Sequence, residues 1–189
     1  MVNRRRGVLI VGLAVVAAVA SIALADVIFV YTGTINVKPM TTTPLVFSTG
    51  PNGNEQPYIS FTVSPNYDSF TVTLEITNSS AVYYYEAGEL TVNTAGYIYV
   101  NSISISGSAV NTMTIYITQS SSPNTCTLPI ISGGAAAPTP SSTCSLSTGT
   151  YYISIKVVPN LPVTSSSTET VTVTFGYNVV GNTAVPVPT

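Results

Sequence analysis

The fold class this sequence predicts is all-β, a jelly-roll-like sandwich of two sheets, and three observations carry it. Apolar and polar residues alternate with a period of two in one short segment after another, as side chains on the opposite faces of a half-buried strand do. Those segments are rich in Val, Ile, Thr, Tyr and Phe and are separated by Pro, Gly and Asn turns. Beyond the N-terminal apolar run, no window sustains a helical period.

The composition narrows the function. Of 189 residues, 6% are charged and 45% hydrophobic, which suits one folded domain rather than a disordered chain. Arg4, Arg5 and Arg6 precede the apolar run, leaving Lys38 and Lys156 against seven acidic residues beyond it. A mildly acidic body argues against nucleic acid as a partner. Histidine is absent, and with it the usual general base and the commonest metal ligand. No nucleophile has a base beside it and no glycine-rich loop follows a strand, so the expectation is a protein with no catalytic residues, metal or cofactor.

In chain order, residues 1–25 have a basic start, an apolar run from Gly7 to Ala25, and small residues at Ala23 and Ala25. That is the pattern of a secretory signal peptide, with cleavage between Ala25 and Asp26. A retained type IV pilin helix cut after Gly7, or an uncut membrane anchor, are the rival readings. Residues 26–38, DVIFVYTGTINVK, then read as an extended strand. One face carries Val27, Phe29, Tyr31, Gly33, Ile35 and Val37 and is apolar throughout. An exported chain beginning with such a strand must bury it, in its own sheet or in a neighbour's.

The body is expected over residues 39–180. Ile59, Phe61 and Val63 form one inward set, and Phe70, Val72, Leu74 and Ile76 the next, opposite Thr71, Thr73, Glu75 and Thr77. Val82 to Glu86, with Leu90 and Val92, continue the sheet. The apolar phase of Tyr97 to Ile105 slips between Val100 and Ile103, which predicts a bulge near Asn101. Met113 to Thr118, Ile153 to Val158 and Thr170 to Val180 read as further strands, and residues 181–189 as a loose tail.

Between them, residues 119–150 read as a Ser-, Pro-, Gly- and Ala-rich surface insertion, clipped by a disulfide between Cys126 and Cys144. Asn78-Ser79-Ser80 is an N-x-S/T triplet in a turn, a glycosylation acceptor if the organism has the pathway. Glu86 with Glu89, and Glu55 near Asn52 and Asn54, could share a cation, although solvated turn carboxylates are the better reading. Tyr83, Tyr84, Tyr85, Tyr97, Tyr99, Tyr151 and Tyr152 suit sheet packing or a subunit interface better than a sugar platform.

The signal ending in ALA, the strand DVIFVYTGTINV and the blocks SFTVTLEITNSSAVYYY and YIYVNSISISG resemble the archaeal bundling pilins and thread subunits, and more distantly the bacterial biofilm-fibre and camelysin family. The resemblance covers the layout of the whole exported chain. It implies a jelly-roll subunit whose N-terminal strand, through Val27, Phe29, Tyr31, Ile35 and Val37, completes the sheet of the next subunit in an extracellular filament. The partners it implies are further copies joined head to tail and neighbouring filaments in bundles, with the membrane met only during export. Camelysin relatives have been classed as metalloproteases, but this chain lacks both histidine and an HExxH motif. A monomeric surface adhesin or carbohydrate-binding module is the other reading.

Overall fold

The structure, a computed structural model, describes residues 32–38, 42–119 and 122–187. Two compact units divide the chain, Met1–Pro39 and Met40–Thr189. Of the first, residues 32–38 carry no strand assignment and are exposed.

The second unit is all-β, with no helix among the described residues. Its strands are β1 (Leu45–Thr49), β2 (Ile59–Val63), β3 (Phe70–Leu74), β4 (Val82–Val92), β5 (Gly96–Gly107), β6 (Val110–Gln119), β7 (Ser122–Ser132), β8 (Ala135–Ala136), β9 (Cys144–Leu146), β10 (Gly149–Pro159) and β11 (Glu169–Asn178). Six strands form one sheet in the order β1-β4-β10-β6-β7-β8. Two smaller sheets, β2-β3 and β11-β5-β9, contribute to the same hydrophobic core. Every pairing is antiparallel, as expected of strands joined by short turns.

The core lies under the middle of the large sheet. Leu90, Ile153 and Val157 are sealed there, and Ile98 and Val100 of β5 are fully buried opposite. The slip in phase along β5 is a bulge: Val100 pairs with Phe175 and Ser102 with Thr174, leaving Asn101 as the extra residue. A second bulge interrupts β4, where Ile153 pairs with Gly88 and Ile155 with Tyr84. Glu86 there has a φ of 48°, and its N–H donates to the Oγ of fully buried Ser154 at 2.9 Å. The ladder bond lost to the bulge is thus replaced by a side chain.

Residues 119–150 are not a surface insertion. They supply β7, β8 and β9 and bury Leu128, Ile130, Ile131 and Leu146 in the core. β7 tolerates Pro129, which lacks an N–H, because its outer edge is paired to β8 only at Ile131 and Ser132. Gly133 and Gly134, with φ of 60° and 76°, turn the chain from Ser132 to its partner Ala135, a two-residue hairpin with left-handed backbone at both central positions. Cys126 and Cys144 are bonded to each other and tie β7 of the large sheet to β9 of the three-stranded sheet. The bridge is therefore a staple between layers of the core.

The tail is pinned as far as Val185. Tyr99 Oη donates to Val185 O at 2.6 Å, and Thr143 Oγ1 donates to Asn182 O at 2.7 Å.

Candidate functional site

The feature that stands out is a pair of unpartnered strand edges. Among the described residues β3 pairs only with β2, and β11 only with β5. These two strands nevertheless flank one another in opposite directions. At one end the rings of Phe70 and Phe175 have centroids 6.1 Å apart. At the other, just past β3, the Asn78 side chain bonds the backbone of Val163, ahead of β11.

No ladder joins the two edges between those points among the described residues. The alternation read from the sequence puts Val72, Leu74 and Ile76 on the core side of one edge and Val171 and Val173 on the core side of the other, and all five are only half-buried. Their counterparts in the interior of the large sheet, such as Leu90, Ile153 and Val157, are at most 2% exposed. Strands in a sheet lie about 4.8 Å apart, so two strands that would both neighbour a third sit nearly 10 Å apart. Among the described residues each edge carries N–H and C=O groups without ladder partners, the template to which a further strand can be added. The arrangement can therefore accept a strand whose apolar face points at the core.

Of the residues assigned to the donor strand, Val27, Phe29 and Tyr31 lie outside the described residues, as does the Ala25–Asp26 cleavage point. Ile35 and Val37 are described and are 88% and 89% exposed.

The Asn78 carboxamide bonds through both its nitrogen and its oxygen. Its Nδ2 donates to Val163 O at 3.3 Å and its Oδ1 accepts from Val163 N at 2.7 Å. A sugar on Nδ2 makes a secondary amide, whose trans preference places the sugar on the Oδ1 side, the side that faces Val163. A glycan and this clamp exclude one another.

The tyrosines separate into two groups. Tyr84, Tyr99 and Tyr151 are buried and tether their hydroxyls to the backbone of Glu75, Val185 and Ser147. Burial, helped by the nearby charge of Glu75, pushes the Tyr84 phenol up to about 12. Tyr83 and Tyr85 stand exposed on the outer face of β4 with centroids 6.2 Å apart, and Tyr116 of β6 lies 6.3 Å from Tyr83. Tyr116 joins this cluster through cross-strand register, which no local pattern in the sequence displays. Beside the cluster, Asn52, Glu55, Tyr58, Tyr83 and Tyr85 line an open cleft of about 210 Å³. The hydrogen bond and charge of Glu86 hold the Tyr85 phenol above its usual range.

The carboxylates considered for a cation are apart in role. Glu89 accepts from Ser48 at 3.3 Å, Glu86 sits at the bulge, and Glu55 lies in the cleft. Among the described residues no three His, Cys, Asp or Glu side chains gather as a metal site would require. No helix among them is long and apolar enough to cross a membrane. The disulfide fits an oxidising compartment.

No protein-family model matches the chain, and no curated protein matches its sequence.

Proposed function

We propose that this chain is a structural subunit of an extracellular filament, of the archaeal bundling-pilin and thread kind, polymerised by donor-strand complementation. The observation that carries the reading is a pair of strand edges, β3 and β11, that have no partner among the described residues and flank half-buried apolar rows. The occupant is residues 26–38 of the next copy, which offer one continuous apolar face and a secretory segment immediately before it. With that strand in place, β2-β3 and β11-β5-β9 join into a single six-stranded sheet opposite the other six strands. The result is the two-sheet, jelly-roll-like sandwich that the sequence predicts.

Energetics favour such a contact. Burying Phe29, Tyr31 and Val27 contributes about 1.5–3 kcal/mol for each large apolar side chain. The ladders on both sides also satisfy backbone groups that otherwise face solvent. Because the contact is apolar and the exported part has only two lysines, assembly should be nearly insensitive to salt. Donor and groove sit on different parts of the subunit, so the contact is head to tail and does not close, which yields an open filament. The role needs no cofactor and no catalytic residue.

The test is assembly of the exported chain carrying Phe29→Asp, followed by electron microscopy and size-exclusion chromatography. An unpaired carboxylate in the groove should abolish filaments while the far-ultraviolet spectrum stays that of the folded sandwich. Filaments of normal length from this variant would refute the proposal. A second reading, a surface module that stacks neutral sugars, is favoured by the cluster of exposed Tyr83 and Tyr85 with half-buried Tyr116 beside the cleft.

A further inference from the structure

We infer that Gly33 is the register-setting residue of the donor strand and that it seats over the Phe70–Phe175 pair of the receiving subunit, an inference that rests on the donor-strand reading above. Gly33 is the only gap in the apolar face that runs from Val27 to Val37. Among the described residues no close contact requires it. A Cβ added at Gly33 would meet no atom within 4 Å, and its φ lies outside the left-handed range. A glycine inside a strand costs stability through backbone entropy, so its presence points to a close approach by another chain.

The groove has one place that favours such a residue. Two strands flanking a vacant strand position lie nearly 10 Å apart, yet the Phe70 and Phe175 rings lean across that space to a centroid distance of 6.1 Å. Phe47 and Phe61 support them from below, with centroids 5.1 and 4.7 Å from that of Phe70. That row carries the two bulkiest side chains along the facing edges, so an inserted strand meets the least space there and a residue without a side chain suits it best. One step along, at Val72 and Val173, and two steps along, at Leu74 and Val171, the side chains are smaller aliphatics, half-buried like the two phenylalanines.

This fixes register and direction together. With Gly33 at the phenylalanine row, Tyr31 falls at Val72, Phe29 at Leu74 and Val27 at Ile76, so the three apolar residues before the glycine match the three aliphatic rows. The inserted strand then runs antiparallel to β3 and parallel to β11, with Asp26 emerging beyond Ile76 and residues 34–44 leaving past Phe70 towards their own subunit. The opposite direction would place Ile35 and Val37 in the first two rows and Pro39, which has no N–H for a ladder, in the third.

The experiment uses the full exported chain carrying a photo-crosslinking phenylalanine analogue at position 29, assembled, irradiated and mapped by mass spectrometry. Inter-subunit crosslinks to Leu74 and Val171 and their neighbours are expected. Crosslinks to Ser64–Ser69 or Asn178–Gly181 of the adjacent subunit would keep the donor strand but overturn this register. Crosslinks confined to one chain would overturn the donor reading itself. In parallel, Gly33→Val should weaken head-to-tail association by about tenfold or more, the size of an overpacked contact. Assembly of Gly33→Val equal to that of the parent chain, in a preparation where Phe29→Asp blocks it, would overturn the role of Gly33 alone.

Discussion

Phe70 of β3 and Phe175 of β11 meet with ring centroids 6.1 Å apart, although no ladder links their strands among the described residues. The pair closes one end of the space between two sheet edges, and Phe47 lies 6.2 Å from Phe175 on the core side. On the donor-strand proposal, this cluster would hold the two edges, unpaired among the described residues, at a set distance before a strand arrives.

Phe175→Ala should therefore cost about 2–4 kcal/mol, towards the lower end of the range for buried phenylalanine because the ring is half-buried. Urea unfolding followed by tyrosine fluorescence measures it. A loss within about 0.5 kcal/mol, the scale of an ordinary surface substitution, would show that the cluster does not support the edges.

Asn78→Ala should remove both hydrogen bonds to Val163 and cost about 1 kcal/mol, since the pair is exposed and water competes for it. Residues 161–167 should become the first site of limited proteolysis. The folded chain should also carry no glycan at Asn78, and its intact mass decides this. A glycan there, together with an unchanged cleavage pattern, would contradict the clamp.

The disulfide makes a third prediction. Labelling of denatured, unreduced protein should find no free thiol, because Cys126 and Cys144 are the only cysteines and are paired. Replacing both by serine should lower stability by about 3 kcal/mol through the loss of loop closure, yet leave assembly intact because the edges of β3 and β11 are elsewhere. Loss of filaments at a temperature where the variant remains folded would contradict that separation.

Alkaline pH should destabilise the fold through Tyr84. Its folded-state value near 12 lies above the ordinary 10, so the stability it contributes is fully present below pH 10 and is lost as pH rises from 10 through 12. Tyr84→Phe should flatten that part of the stability curve, at the cost of the hydrogen bond to Glu75 O. An unchanged alkaline slope in the variant would assign the transition to other tyrosines.

How much of this was legible in the sequence follows from how local each signal is. β3, β11 and the bulge at Asn101 were readable because alternation, and its slip, reside in consecutive residues. β1, LVFST, follows Pro44 and opens on three consecutive apolar residues, so it shows no period-two alternation. β7 hid behind Pro129 and Cys126, and the adjacent buried pair Ile130 and Ile131 breaks the alternation that marks a strand. The bulge at Glu86 depends on Ser154, 68 residues away, and so leaves no local trace. The site divides in the same way. The proposed donor face shows in one stretch of thirteen letters, whereas the proposed acceptor exists only once β3 and β11, nearly a hundred residues apart in sequence, flank each other.

The central claim is tested most directly by a density map of the assembled filament at a resolution that traces the backbone. The account predicts residues 27–33 of one subunit lying between β3 and β11 of the next, laddered to both. A map in which that strand pairs within its own subunit, or in which the two edges stay unoccupied along the filament, would contradict it.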